Sequence, residues 1–153
     1  MVEVGKKAPA FSLPDADGKK RSLKEFLGKK VILYFYPKDN TPGCTTEACD
    51  FRDSFPKFKN DDAVVLGMSP DSPQSHTKFA GKFELPFILL SDEKKEVLQK
   101  YDVWKEKSMY GRKYMGVVRT TMIIDEKGIV RKIYPKVKVT RHVEEVYKDL
   151  KEI

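Results

Sequence analysis

The sequence predicts an α/β fold, a three-layer sandwich with a mixed central β-sheet and helices on both faces. Three observations carry this expectation. Short apolar runs rich in β-branched and aromatic residues recur at 31–36, 63–69 and 86–90, the pattern of strands buried on both faces. Between them, apolar residues fall three and four apart, the period of a helix. The chain then closes with a hairpin signal, residues 119–124 and 129–134 around Asp125-Glu126-Lys127-Gly128, and one last amphipathic segment.

In chain order, Phe11-Ser12-Leu13 alternates like a short edge strand before the turn Asp15-Ala16-Asp17-Gly18. Ser22 is expected to cap a short helix over 23–27, closed by Gly28. The run 31–36 reads as the central strand. Phe51, Phe55 and Phe58 then set an apolar stripe on a helix that Pro56 is expected to kink. After the second strand, Ser69-Pro70-Asp71-Ser72-Pro73 makes a turn and caps a helix reaching about Phe83, with Phe79 and Phe83 inward. The third strand leads to Ser91-Asp92, read as the start of a helix ending near Tyr101. Trp104 reads as a packing residue and 105–113 as a polar loop. Thr140 is expected to cap the final helix, with Val143, Val146, Tyr147 and Leu150 on one face.

Composition narrows the function classes. A chain of 153 residues with no repeat, low-complexity segment or linker is expected to form one domain, 1–153, with a core needing no metal or disulfide staple. No apolar run approaches the roughly 18 residues of a membrane span, and the first residues lack the apolar segment of a signal peptide. A cytoplasmic protein is therefore expected. The net charge of +7 invites a nucleic-acid reading, but the lysines are interleaved with 23 acidic residues. There is no basic run and no aromatic RNA-binding signature, so nucleic acid is not an expected partner. Two cysteines are too few for a secreted disulfide framework, which points to redox chemistry in a reducing compartment.

Those cysteines sit in the most informative stretch. Thr41-Pro42-Gly43-Cys44 follows the central strand and opens the helix carrying Cys49. A thiol in the first turn of a helix feels the positive end of the dipole and unpaired N–H groups, both of which favour its thiolate. The bland reading of Cys44 is an inert core thiol. Its neighbours Thr, Pro, Gly and Thr are not packing residues, and the reactive reading is preferred. Cys49 fits neither a metal pair, since His76 and His142 lie in no Cys/His cluster, nor a Cys-x-x-Cys motif. On an unbroken helix, positions five apart are about 140° around the axis and about 7.5 Å along it. That exceeds the roughly 4.4–6.8 Å between Cα atoms that a disulfide tolerates, so bonding requires the first turn to unwind. Thr41 is either a helix cap or a hydroxyl facing a ligand beside the sulfur. Pro37 ends the strand and fixes the loop. Arg119, at a strand start, would by itself be an ordinary surface arginine.

The pattern Pro37-x-x-x-Thr41-x-x-Cys44 resembles the active-site signature of the peroxiredoxins. The fuller string from Tyr34 to Cys49 is similar to their Q-type, or bacterioferritin-comigratory, branch, and the resemblance extends from Gly5-Lys6-Lys7-Ala8-Pro9-Ala10-Phe11 to the last helix. It implies a thioredoxin-like fold and a thiol peroxidase of antioxidant defence acting on hydrogen peroxide and organic hydroperoxides. Cys44 would be the peroxidatic nucleophile and Cys49 the resolving cysteine, joined in an intramolecular disulfide. Thr41 and Pro37 would belong to the site. Gly116-Val117-Val118-Arg119-Thr120-Thr121 resembles the segment that brings an arginine to the peroxidatic sulfur. No cofactor or metal is implied. Thioredoxin or a similar dithiol is the implied reductant. A monomer is expected, with a weak homodimer as the alternative. The chain lacks the extended C-terminal arm through which typical two-cysteine relatives exchange cysteines between subunits, so a resolving cysteine within the same chain is expected. Arg119→Ala is expected to slow the thiol with little effect on stability. Glu47, His76 and His142 receive no role. The competing reading is a thiol–disulfide oxidoreductase acting on protein disulfides; a basic binding module with an incidental cysteine pair is the more distant one.

Overall fold

The computed structural model describes residues 2–153. In chain order these form β1 (Ser12–Pro14), β2 (Lys20–Ser22), a 3₁₀ turn (Leu23–Phe26), β3 (Lys30–Phe35), α1 (Pro42–Asn60), β4 (Ala63–Ser69) and α2 (Pro73–Phe83). There follow β5 (Ile88–Ser91), α3 (Glu96–Lys100), β6 (Trp104–Met109), β7 (Arg112–Val117), β8 (Thr120–Ile124), β9 (Val130–Tyr134) and α4 (His142–Leu150).

The main sheet has the order β5-β4-β3-β8-β9. Strand β3 lies at its centre, parallel to β4 and antiparallel to β8, so the sheet is mixed as expected. Successive side chains of β3 enter two different cores. Val31, Leu33 and Phe35 pack with Met68, Met122, Leu98 and Tyr101. Ile32, Tyr34 and, one residue past the strand, Tyr36 pack with Phe51, Phe58, Phe79, Val146 and Leu150. This two-sided burial is why the strand reads as an uninterrupted apolar run. The faces are covered unequally. Helices α1, α2 and α4 shield one, while α3, the 3₁₀ turn and the segment around Phe11 and Leu13 shield the other.

The structure departs from the sequence expectations in several places. Residues 105–113 are not a loop: β6 and β7 pair antiparallel from Trp104↔Val117 to Met109↔Arg112. Their turn, Tyr110-Gly111, has φ of 53° and 78°, the positive pair that a two-residue hairpin needs. Most of the hairpin is exposed, so the burial-driven alternation that betrays a strand is missing. The helix expected from Ser91 begins only at Glu96, because Ser91 completes β5 and the chain turns through Lys95 at φ 61°. Asp92 stays behind and accepts from Leu98 N–H at 2.7 Å, capping the helix across that turn. Ser22 ends β2 and is followed by a 3₁₀ turn with no side-chain cap. Arg141, not Thr140, holds the N-cap position of α4. Pro56 lies inside α1 without ending it, in keeping with a helix that it bends and does not break, and it is exposed, where a carbonyl deprived of its helical partner can turn to water.

Two features of this frame create the site. Strand β3 ends where α1 begins. The antiparallel register Phe35↔Thr120 sets the start of β8 beside that same end. A side chain just before Thr120 is thereby delivered to the first turn of α1.

Candidate active site

Pro42 occupies the first turn of α1, where its missing N–H costs nothing, and Thr41 precedes it with extended dihedrals. Cys44 therefore lies in the first turn, as the sequence predicted, and is 2% exposed. Arg119 reaches it across the sheet end: Nη2 donates to Cys44 Sγ at 3.2 Å. The other arm, Nη1, donates to Glu47 Oε1 at 2.7 Å. A planar guanidinium so bridged between two anchors cannot rotate away from the sulfur, and it presents positive charge where negative charge must be held. Gly43 permits the approach, since a Cβ there would stand 3.1 Å from Arg119 Nη2.

The other sequence candidates fall as follows. Thr41 holds the N-cap position, but its side chain makes no cap bond. The hydroxyl donates instead to the carbonyl of Lys38 at 2.8 Å, which leaves its lone pairs free to accept from a ligand. Pro37 is half-buried at the end of β3. Cys49 shares α1 with Cys44, and both thiols are free; Cys44 is buried and Cys49 half-buried. Arg52, one turn beyond Cys49, donates to the carbonyl of Phe83 at 2.9 Å and ties that level of the helix to α2.

The AhpC/TSA family matches residues 4–133. Peroxiredoxin Bcp of Bacillus subtilis is 49% identical over 152 residues, covering 99% of this chain and 97% of the relative. Peroxiredoxin Bcp of Escherichia coli is 42% identical over 151 residues, covering 99% and 97%. The chain belongs to the peroxiredoxins. Among solved structures, a mutant of Xylella fastidiosa PrxQ superposes with a TM-score of 0.94 at 35% identity, covering 99% of this chain and 97% of that one. The Xanthomonas campestris bacterioferritin comigratory protein, studied for its alkyl peroxide reduction activity, superposes with a TM-score of 0.89 at 39% identity, covering 93% and 90%. These likenesses place the fold in the thioredoxin-like class and the chain in the Q-type branch.

In this peroxiredoxin, Glu47 is the residue that sequence reasoning passed over. It is 0% exposed, and its Oε2 has no hydrogen-bond partner among the described residues. The signal was present: Glu47 lies four residues before Phe51, on the apolar stripe of α1, and a carboxylate there needs a cation. Burial pushes its pKa up to about 7, with Arg119 pulling the other way. Burial also works against the charge of Arg119, but Glu47 and Cys44 outweigh it and hold its pKa above the ordinary value. Lys107 was hidden in the supposed loop. From β6 it donates to the carbonyl of Val117 at 3.0 Å. Burial and the nearby Arg119 lower its pKa, while Cys44 pulls it up. His142 bonds Thr121 Oγ1 through Nε2 at 2.8 Å; burial and Arg119 lower its pKa to about 4, so it remains neutral and structural near neutral pH. His76 does lie in a cluster of ligand-type atoms, within 4.8 Å of those of Asp39 and Asp71.

The pairing corrects the expectation that Arg119→Ala spares stability. Removing one member of a buried pair costs about 3–5 kcal/mol, moderated here because Glu47 can take up a proton. The variant is therefore expected to melt lower as well as to alkylate Cys44 more slowly at neutral pH. The Glu47 carboxyl has a folded pKa raised above its ordinary value of 4.5. Its contribution to stability is thus fully present below about 4.5 and lost as pH rises through about 7. Denaturant titrations of wild type at pH 5 and pH 8 should show that loss, and Glu47→Gln should flatten it; an unchanged slope in Glu47→Gln would remove this carboxyl as its source.

Thr41 yields a second expectation. Thr41→Val keeps the shape but deletes the hydroxyl, so reaction with peroxide should slow while alkylation of Cys44 does not. Thr41→Ser should retain most of the peroxide rate. Equal rates for the two variants would make Thr41 a purely structural residue.

Proposed function

We propose that Cys44 is the peroxidatic nucleophile of this peroxidase, Cys49 its resolving thiol, and Arg119, Thr41 and Pro37 the groups that frame the peroxide. The observation that carries this reading is the Arg119 Nη2 donor 3.2 Å from Cys44 Sγ, with its other arm held by Glu47. The Cys44 thiolate attacks one oxygen of the hydroperoxide; the O–O bond breaks, and the leaving oxygen takes a proton to become water or an alcohol. Arg119 stabilises negative charge on the sulfur before attack and on the oxygens as the bond breaks. The lone pairs of Thr41 accept from the peroxide O–H, and Pro37 shapes the loop without offering a competing donor.

Cys44 is now a sulfenic acid. The Cys49 thiol displaces its hydroxyl, releasing water and forming an intramolecular disulfide, and a dithiol returns two electrons to restore both thiols. Thioredoxin is the proposed dithiol, a single domain spanning 1–153 the proposed unit, a monomer the proposed assembly, and the cytoplasm the proposed compartment. Hydrogen peroxide and organic hydroperoxides are the proposed substrates, supported for the latter by the alkyl peroxide reduction studied in the Xanthomonas relative. Among the described residues no helix is long and apolar enough to cross a membrane.

The test measures peroxide consumed by the reduced protein alone and with a thioredoxin system. The protein alone should consume about one equivalent, as both thiols are spent, and the complete system should turn over continuously. Turnover with dithiothreitol but not with thioredoxin would replace the proposed reductant. Failure to consume peroxide in any arm would overturn the site assignment.

A further inference from the structure

Asp39 lies inside the loop between Pro37 and Thr41, and it is buried. Its carboxylate accepts from Tyr36 Oη at 2.6 Å on Oδ1 and from Ser75 Oγ at 2.7 Å on Oδ2. The same Oδ2 stands 2.7 Å from Nδ1 of His76. His76 is 0% exposed, and its Nε2 is 3.0 Å from the carbonyl oxygen of Leu90. A carbonyl only accepts, so Nε2 carries a hydrogen; a carboxylate oxygen facing Nδ1 calls for another proton between them. The ring is satisfied at both ends, and so links strand β5 to the loop. The backbone N–H of Asp39 is also taken, by Asp71 Oδ2 at 2.8 Å, which in turn accepts from Ser69 Oγ at 2.7 Å. The three ligand-type residues of this cluster are thus committed to one another.

The network ties the loop to the ends of β3 and β4, to the first turn of α2 and to β5. A buried network whose members are all satisfied is rigid. The next side chains along the chain include Thr41, whose hydroxyl is aimed by its bond to Lys38 within the same loop and whose carbonyl starts α1 by accepting from Thr45 N–H at 2.8 Å. Arg119, Cys44 and Glu47 make their contacts through β8 and α1, with no member of the His76 cluster among their bonds.

We infer that His76 is a positioning residue for the peroxide step: through Asp39 it holds the loop 37–41 so that the Thr41 hydroxyl meets the peroxide beside Cys44. Thiol activation by Arg119 does not depend on it. The inference rests on the roles proposed above for Cys44 and Thr41, which the Cys44→Ser and Thr41→Val variants test separately. A residue that merely stabilised the fold would affect every reaction of Cys44 together. A residue that aims a peroxide-binding hydroxyl affects one reaction and spares the other.

The experiment measures two rates on reduced protein, oxidation by hydrogen peroxide and alkylation by iodoacetamide across pH 5–9. Loss of alignment at a reacting centre can cost about 100-fold. His76→Leu, which removes both ring donors, should approach that loss with peroxide while its alkylation profile matches wild type. His76→Asn places an amide N–H where Nδ1 stands and should recover most of the peroxide rate. The double variant Thr41→Val/His76→Leu should be little slower than Thr41→Val, because both changes act through one hydroxyl. Should His76→Leu fail to fold, Asp39→Asn replaces it, with the same split expected. The inference is overturned if the peroxide rate stays within about threefold of wild type, if peroxide and alkylation rates fall together, or if the double variant is additive.

Discussion

Cys44→Ser is expected to bring peroxide consumption down to the uncatalysed background while the fold persists. Near neutral pH a serine hydroxyl is not an anionic nucleophile, and the arrangement around Cys44 has no base poised to make it one. Arg119, the group bonded to the sulfur, is a cation that stabilises an anion, and Glu47 bonds Arg119 rather than Cys44. The substitution is mild for packing because the oxygen can still accept from Arg119 Nη2, and the Arg119–Glu47 pair remains. A stability change of about 1 kcal/mol or less is expected, a shift of roughly 2–4 °C in a chain of this size. A coupled peroxidase assay beside a thermal melt checks both halves. Sustained turnover in the variant would move the nucleophile to Cys49, the only other thiol in the chain.

Oxidation by one equivalent of peroxide should open the start of α1. The reduced helix runs unbroken from Pro42 to Asn60 with both cysteines on it, about 7.5 Å apart along the axis and on different sides. A Cys44–Cys49 disulfide cannot form without breaking the helical bonds between them. Closing so short a loop returns little entropy, while the Arg119–sulfur contact and the first helical turns are lost. The disulfide form is therefore expected to melt below the reduced form. The opening has a physical limit. Phe51 is fully buried and stacked on Tyr34 with ring centroids 4.7 Å apart, and Arg52 is bonded to the carbonyl of Phe83. Amide exchange should accelerate over residues 41–50 and stay slow beyond Phe51. Peptide mapping should find the disulfide within one chain. A disulfide joining two chains, or an oxidised α1 as protected as the reduced one, would sink the proposed resolution step.

Much of the site was legible because its core is local. Pro37, Thr41, Cys44 and Cys49 lie within one loop and one helix, and their placement follows from a strand end, a helix-start proline and a fixed spacing. Arg119 was legible only through the resemblance of its surrounding segment; nothing in its own neighbourhood marks it. Glu47 left a trace, a carboxylate on an apolar stripe, that has meaning only once its cation is known. The β6–β7 hairpin left less, since strands with both faces largely in water carry no period-two pattern, and Lys107 disappeared with it. The helix misread at Ser91 shows the same limit from the other side: Ser91-Asp92 was read as the helix start, but the chain spends Lys95 in a left-handed turn before the helix begins.

By itself, then, the sequence determined the buried central strand, the helix that follows it and the position of Cys44 in that helix's first turn. Those outcomes depend on residues within a few positions of one another, whose backbone preferences and burial act before any distant contact forms. Only the tertiary structure decided which groups surround the sulfur. The Phe35↔Thr120 register delivers Arg119 across 75 residues to Cys44, and the packing of α2 on the sheet brings His76 across 37 residues to Asp39. Both are products of strand register and helix docking, where a shift of one residue would turn the same side chains away.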